Sequence, residues 1–269
     1  MAARVADKVA IVVGGGQTPG ETVGNGRATA LLLAREGARV VVGDRSLASA
    51  EDTVEMIRAE GGQALACEVD ATQEDSIKSL IAQTLERYAG LDILHNNVGA
   101  SIALGDARAD EIAVEAFDRS FAVNFKTAWL ASKHALPLLR QRGGSIVNIS
   151  SLAALEAYPL VGYKTMKAAI LALTQNLAAA NARYGVRVNA ILPGLMNTPM
   201  AIEARVAQGV PRDQVIAMRN MRVPLGHQMG SAWDVAYAAL FLHSDEARFI
   251  SGALLPVDGA ASASFGSYE

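Results

Sequence analysis

The sequence predicts an α/β fold: one doubly wound parallel sheet of about seven strands, with helices on both faces. Two observations carry this. Short, nearly unbroken apolar and β-branched runs recur along the 269 residues, separated by longer segments of helical period rich in Ala, Leu, Glu, Gln and Arg. Strands buried on both faces of a parallel sheet read as continuous apolar runs. Strand–helix alternation from end to end is the pattern of a sheet wound in both directions. A third observation sets the domain count. No linker, charge block or internal repeat divides the chain, so residues 1–269 are expected as a single domain, although the length alone would admit two.

The elements follow in order. Val9–Val13 is the first strand and runs into Gly14, Gly15 and Gly16. The helix Gly26–Glu36 is stopped at Gly37, because glycine enters the left-handed conformation of a helix C-terminus without a side-chain penalty. Arg39–Gly43 and Ala64–Glu68 are the next strands, flanking a helix, Ala48–Glu60, that is stopped at Gly61. The helix Glu74–Tyr88, with its stop at Gly90, leads to the strand Leu91–His95. A long helix, Ala116–Arg140, precedes the strand Ser145–Ile149. Val161–Tyr184, stopped at Gly185, precedes Arg187–Ile191, and the helix Ala232–Leu242 precedes the last strand, Ala253–Val257. Only residues 193–230 break the rhythm, with Pro199, Pro211 and Pro224 among Met196, Met200, Met218, Met221 and Met229. An irregular segment leaving the C-terminal end of a late strand lies where open α/β sheets bind ligands. It reads as a flexible, thioether-rich substrate lid; the alternative is ordinary core methionine in a helical excursion.

Composition narrows the function. Hydrophobic residues make up 51% of the chain and charged residues 19%, enough for a large core and unlike a disordered segment. A net charge of -3 and a pI near 5.9 exclude a general nucleic-acid binder. The single cysteine, Cys67, rules out an internal disulfide, fits a reducing compartment and reads as a small buried apolar residue. The apolar run Val9–Val13 is too short for a signal peptide, and no window approaches the roughly 18 apolar residues of a membrane span. A soluble cytoplasmic protein with no membrane partner is expected. His95, His134, His227 and His243 are scattered and form no cluster at metal-ligand spacing, so no metal is expected. His95 reads as a hydrogen-bonded core residue.

The first strand-to-helix connection carries chemistry. From Gly14 to Gly26 the chain places six glycines between strand and helix. Glycine permits close backbone approach to a pyrophosphate, which the helix N-terminus then stabilises with its dipole and free N–H groups. Glycines alone are a weak signal, but between the first strand and first helix of an alternating chain they indicate a Rossmann-type dinucleotide site. Gly14, Gly24, Asn25 and Gly26 are its expected phosphate-facing residues. Asp44 ends the second strand, 18 residues after Gly26, where a carboxylate accepts both adenosine-ribose hydroxyls and repels a 2′-phosphate. The expected cofactor is NAD rather than NADP. Arg45 beside it would tolerate a phosphate if turned inward, and Asp44 read structurally is a turn residue, with Ser46 available as the helix cap.

Tyr163 and Lys167 lie one turn apart at the start of an Ala-rich helix, so both project from one face. A phenol with a pKa of about 10 is a poor base near neutrality. A neighbouring ammonium and the positive charge of an oxidised nicotinamide both favour phenolate. Tyr163 would then take the proton of an alcohol as hydride leaves for the cofactor. Alone, such a pair is a solvated helix face. Here Gly144–Ser151 reads as a strand ending in Ser150 and Ser151, Asn96-Asn97-Val98-Gly99 ends another strand, and Asn124 sits in a helix. Pro193-Gly194 closes the strand before Thr198.

These ordered motifs resemble the short-chain dehydrogenase/reductase family along essentially the whole chain. The resemblance implies that Tyr163 is the acid/base and that Lys167 lowers its pKa and binds the nicotinamide ribose. It implies that a strand-end serine holds the substrate oxygen and that Asn124 helps hold a water in a proton relay. It further implies that Asn97 and Gly99 pass near the cofactor, that Asp70 flanks the adenine, and that Pro193, Gly194 and Thr198 reach the nicotinamide carboxamide. Val257-Asp258-Gly259 resembles a C-terminal strand ending that usually lies in a tetramer interface, so a homotetramer is implied.

Two departures matter. The family's glycine motif fits the spacing Gly20, Gly24, Gly26, yet Gly14 is the residue that follows the strand. An insertion of about six residues, tolerable in a surface loop, reconciles the two, and Gln17 and Thr18 are then free to bond the pyrophosphate. The family's usual interval back from Tyr163 selects Ser150, whereas aligning the strand ends selects Ser151. We assign Ser151, since loop lengths vary more readily than strand-end geometry, and only one of two adjacent strand residues can face the pocket. The walls Ser101–Leu104, Leu152–Leu160 and Met196–Met221, with apolar Leu152, Leu155, Tyr158, Leu160 and Ile202, suggest a small hydrophobic or cyclic alcohol or ketone as substrate. The reading is therefore an NAD-dependent oxidoreductase interconverting a secondary alcohol and its ketone. The alternatives are an NADPH-dependent 3-oxoacyl-type ketoreductase and a non-catalytic dinucleotide-binding sensor.

Overall fold

A computed structural model describes residues 3–264. Seven strands form one parallel sheet: β1 Val9–Val13, β2 Arg39–Asp44, β3 Gln63–Glu68, β4 Ile93–Asn96, β5 Ser145–Ile149, β6 Arg187–Pro193 and β7 Leu254–Val257. Their order across the sheet is β3-β2-β1-β4-β5-β6-β7, so the winding reverses between β1 and β4. That switch point opens a crevice at the C-terminal ends of the strands, where such sheets bind ligands. All five residues of β1 are buried, in keeping with a strand covered on both faces.

Helices α1 (Asn25–Arg35), α2 (Leu47–Ala59), α3 (Glu74–Tyr88), α6 (Val161–Asn181) and α9 (Ala232–His243) match the expected segments closely. Two apolar layers sandwich the sheet. One joins Val9, Ile11 and Leu94 to Leu80, Leu130 and Leu139, and the other joins Val12 and Val40 to Leu31, Leu33 and Leu240. Ser46 caps α2 by accepting from the Ser49 backbone N–H.

Three local expectations are corrected. The long helix after β4 is α4 (Val114–Phe121) and α5 (Thr127–Arg142), joined by a π turn, Ala122–Lys126. The left-handed residue that ends α3 is Ala89, with φ 56°, and not Gly90. Residues 193–230 are not irregular: they hold α7 (Pro199–Val206) and α8 (Arg212–Asn220), which share a small core of Ile202, Val215, Val223 and Met229. Of the five methionines there, Met196 and Met229 are buried, whereas Met200, Met218 and Met221 are exposed. His95 is wholly buried, faces His243 with 3.4 Å between ring nitrogens, and is held down to about 3 by burial, as a core histidine would be. Cys67 is buried too, its thiol pushed up to about 11. Among the described residues, no helix is long and apolar enough to cross a membrane.

Candidate active site

Because every strand is parallel, their C-terminal ends gather at one edge. The glycine loop leaves β1 there, and Gly14 takes φ +82°. Gly26 packs so closely beneath that an added Cβ would run into the Gly14 carbonyl oxygen and lie 2.6 Å from Asn97 Nδ2. Asn97 in turn donates to the Gly14 carbonyl oxygen at 2.9 Å, tying the end of β4 to the loop. Helix α1 begins with neither a side-chain cap nor an acidic residue in its first turn, which leaves its N–H groups for an anionic ligand.

The inserted residues are built into the fold. Gln17 Oε1 accepts from Gly24 N at 2.9 Å and its Nε2 donates to the Thr22 carbonyl oxygen at 3.3 Å, so this side chain staples the loop from within. One N–H of the Gln17 amide and its oxygen are thus engaged within the loop, which leaves a single side-chain N–H for a pyrophosphate. Beyond it, a Cβ on Gly20 would lie 2.8 Å from Glu203 Oε1 and 2.9 Å from Pro199 Cβ, both on α7. Arg212 pairs with Glu203 at 2.8 Å and reaches Glu21 at 3.4 Å. The enlarged loop therefore touches the segment expected as a lid.

Asp44 stands at the end of β2, accepting from Gly16 N at 3.0 Å and from Ser46 N at 3.0 Å. Arg45 beside it is exposed. Asp70 follows β3 and is exposed; one of its oxygens accepts from Thr72 N and Oγ1. Pro193 ends β6, Gly194 packs against Asp258, and Thr198 is buried as the first turn of α7 begins. Two buried amide oxygens, Asn25 Oδ1 and Asn197 Oδ1, have no partner among the described residues. One lies at the start of α1 and the other beside Thr198. The glycine cradle and the uncapped N-terminus of α1 are what fit the pyrophosphate of a dinucleotide.

At the centre, the two strand-end serines diverge. Ser150 is buried and donates to the Lys167 carbonyl oxygen at 2.7 Å, so its hydroxyl faces helix α6. Ser151 points the other way, accepting from Ala153 N at 3.1 Å and lying beside the Tyr163 phenol, whose ionised form it favours. Lys167 is buried with its Nζ 5.7 Å from the Tyr163 ring centre, and it donates to the Ile149 carbonyl oxygen at 2.9 Å. Gly99 leaves room for it: an added Cβ would lie 2.9 Å from Lys167 Nζ and 3.2 Å from Asn124 Oδ1. Asn124 lies in the π turn, a distortion common at functional sites, and both ends of its amide bond the Ala100 backbone. The site thus brings together Tyr163, Ser151, Lys167 and Asn124.

The electrostatics differ from expectation. Without a bound cation, burial pushes the Tyr163 phenol up to about 12, against the modest help of Ser151. Burial likewise pushes the Lys167 ammonium down to about 8. Each group is held toward its neutral form, because a pocket that sheds water disfavours either charge.

One residue of the site was not legible in the sequence. Asp106, on the loop after β4, accepts from Gly162 N at 2.9 Å and Tyr163 N at 2.7 Å. Leu160, at the N-cap of α6, has no capping side chain, so Asp106 caps this helix from another part of the chain. Of the expected wall residues, Leu155 is exposed, while Leu152 and Ile202 are buried in packing.

Comparison with known proteins is consistent with this arrangement. A family model described as "Enoyl-(Acyl carrier protein) reductase" matches residues 21–261. The chain is 38% identical over 263 residues to 2,5-dichloro-2,5-cyclohexadiene-1,4-diol dehydrogenase of Sphingobium indicum, covering 96% of this chain and 98% of that protein. It is 37% identical to 2-(R)-hydroxypropyl-CoM dehydrogenase of Xanthobacter autotrophicus, covering 95% and 99%. It is also 37% identical to cis-4-hydroxycyclohexanecarboxylate dehydrogenase of Sinomonas cyclohexanicum, covering 96% and 98%. A crystal structure from Burkholderia xenovorans, described as a short-chain dehydrogenase/reductase, superposes with a TM-score of 0.89 at 38% identity, covering 98% of this chain and all of that one.

Proposed function

The chain belongs to the short-chain dehydrogenase/reductase family, and from that premise we propose that it is an NAD-dependent dehydrogenase of a secondary alcohol, with Tyr163 as its acid/base. Relatives named as dehydrogenases of a cyclohexadiene diol, a hydroxypropyl-CoM and a hydroxycyclohexanecarboxylate make it an oxidoreductase of CH–OH groups that uses a nicotinamide cofactor. Two of these named substrates are cyclic, which supports a small cyclic alcohol here as well. The observation that carries the mechanism is the Ser151 hydroxyl beside the Tyr163 phenol, with Lys167 on the next turn of the same helix.

When bound, the nicotinamide supplies the acceptor for the hydride leaving the carbinol carbon. Ser151 holds the substrate oxygen by a hydrogen bond, and Tyr163 removes the proton from that oxygen. The phenol reaches its ionised form only as positive charge enters the pocket, since burial alone holds it near 12. The Lys167 ammonium, near the ring, supplies part of that charge, and Asn124 is the proposed relay toward it. Oxidation consumes phenolate, so its rate should rise with pH.

The choice of NAD rests on Asp44, whose carboxylate lies 3.0 Å from Gly16 N at the mouth of the glycine loop and would repel a 2′-phosphate. The test is a screen of secondary cyclic alcohols with NAD and with NADP, read as the absorbance of the reduced cofactor. The expected result is turnover with NAD at a Kd at least tenfold below that for NADP. A tenfold preference for NADP, about 1.4 kcal/mol in the other direction, would overturn the assignment of Asp44.

A further inference from the structure

We propose that Arg219 is the receptor for a carboxylate on the substrate, so that the alcohol oxidised here carries an anionic group remote from its hydroxyl; this rests on the dehydrogenase reading above. Arg219 lies in α8 and is only 8% exposed. Its protein partners are neutral: Nε donates to Met229 Sδ at 3.2 Å and Nη2 to the Met196 carbonyl oxygen at 3.3 Å. Among the described residues it has no carboxylate partner, whereas Arg212 on the same helix is paired with Glu203 and Glu21. Its Nη1 makes no hydrogen bond to the described protein and is not among the sealed, unsatisfied atoms, so this end of the guanidinium stays open to a ligand.

An unpaired buried cation is expensive, and a carboxylate ligand would complete the pair. The surroundings sharpen the need. Burial lowers the guanidinium to about 10, and Arg205 and Arg222 push in the same direction, so the region is rich in positive charge. The position is suitable as well. Tyr158 lies near enough for its charge to act on Arg219, and its ring is centred 5.9 Å from that of Tyr163. Tyr158 is thus a neighbour of both the Arg219 cation and the Tyr163 ring, and Arg219 also bonds Met196, two residues before Thr198. A guanidinium fork matches a carboxylate in two parallel hydrogen bonds.

The test compares two alcohols with NAD: cis-4-hydroxycyclohexanecarboxylate and cyclohexanol. The unmutated protein should favour the carboxylate, and Arg219→Met should lower the ratio of kcat/KM for the two at least 50-fold. A ratio that Arg219→Met leaves unchanged would overturn the proposal. A second arm needs no variant. Cyclohexanecarboxylate should bind the NAD-loaded protein at least tenfold more tightly in calorimetry than cyclohexanecarboxamide, and equal binding would overturn the proposal. If neither alcohol is oxidised, the dehydrogenase reading fails, while the calorimetric comparison still decides Arg219 independently.

Discussion

Replacing Lys167 by methionine should make the protein inactive and, at neutral pH, more stable. Lys167 is 2% exposed, and burial lowers its ammonium from 10.5 to about 8. The unfolded chain therefore holds this proton more tightly than the folded one. Between pH 8 and 10.5 the unfolded state binds more protons, so stability rises with pH across that window. Below pH 8 the folded protein carries the whole penalty, a gap of about 2.5 units, or roughly 3 kcal/mol at 1.36 kcal/mol per unit. Methionine removes that penalty but also the hydrogen bond to the Ile149 carbonyl oxygen, which offsets it by about 1–2 kcal/mol. The net expectation is Lys167→Met more stable by about 1–2 kcal/mol at pH 7 and less stable by a similar amount at pH 10.5. Urea unfolding of both proteins at the two pH values measures this, and taking the difference cancels the other titrating groups. A stability difference that does not move with pH would refute the reasoning, because it would mean that the buried lysine is already neutral or is well solvated. A lysine retained at such expense is explained by chemistry rather than by folding.

Two further substitutions probe the frame around it. Gly26→Ala forces a Cβ into the Gly14 carbonyl oxygen. It should lower stability by about 1–3 kcal/mol and weaken NAD binding at least tenfold, read by thermal unfolding and by fluorescence titration of NADH. Asp106→Ala removes the acceptor for Gly162 N and Tyr163 N. It should cost about 0.5–2 kcal/mol and lower kcat several-fold with NADH affinity unchanged, and Asp106→Asn should restore part of kcat because asparagine still caps a helix. An unaltered kcat in Asp106→Ala would mean that the loop after β4 does not position Tyr163.

Where sequence and structure agree, local patterning decided the outcome. Val9–Val13 is a continuous apolar strand, and Ser145–Ile149 keeps its expected bounds with Ser145 and Asn148 buried among apolar residues, because both strands are buried on both faces. Ser150 and Ser151 could be separated only by tertiary contact, since either register suits the motif until α6 claims the Ser150 hydroxyl. Asp106 meets Gly162 and Tyr163 across the fold, beyond the reach of any local signal. The Pro-rich stretch concealed α7 and α8 because Pro199 and Pro211 start helices there instead of breaking them: Pro199 holds the first helical position, where its missing N–H is harmless. The loop-stapling role of Gln17 was not legible because a glycine-rich loop says where the backbone bends, and not which of its side chains hold the bend. Tyr163 was expected to be acidified by Lys167, yet burial raises the phenol and the neighbour that lowers it is Ser151.

The central claim, that Tyr163 transfers the proton, is tested most directly by Tyr163→Phe in a single preparation assayed two ways. NADH binding followed by fluorescence should match the unmutated protein within about twofold, since the glycine loop and Asp44 lie elsewhere, and alcohol oxidation followed as NADH absorbance should fall by about a thousandfold, within the range of general acid–base catalysis. Turnover preserved in a variant that still binds NADH would contradict the account.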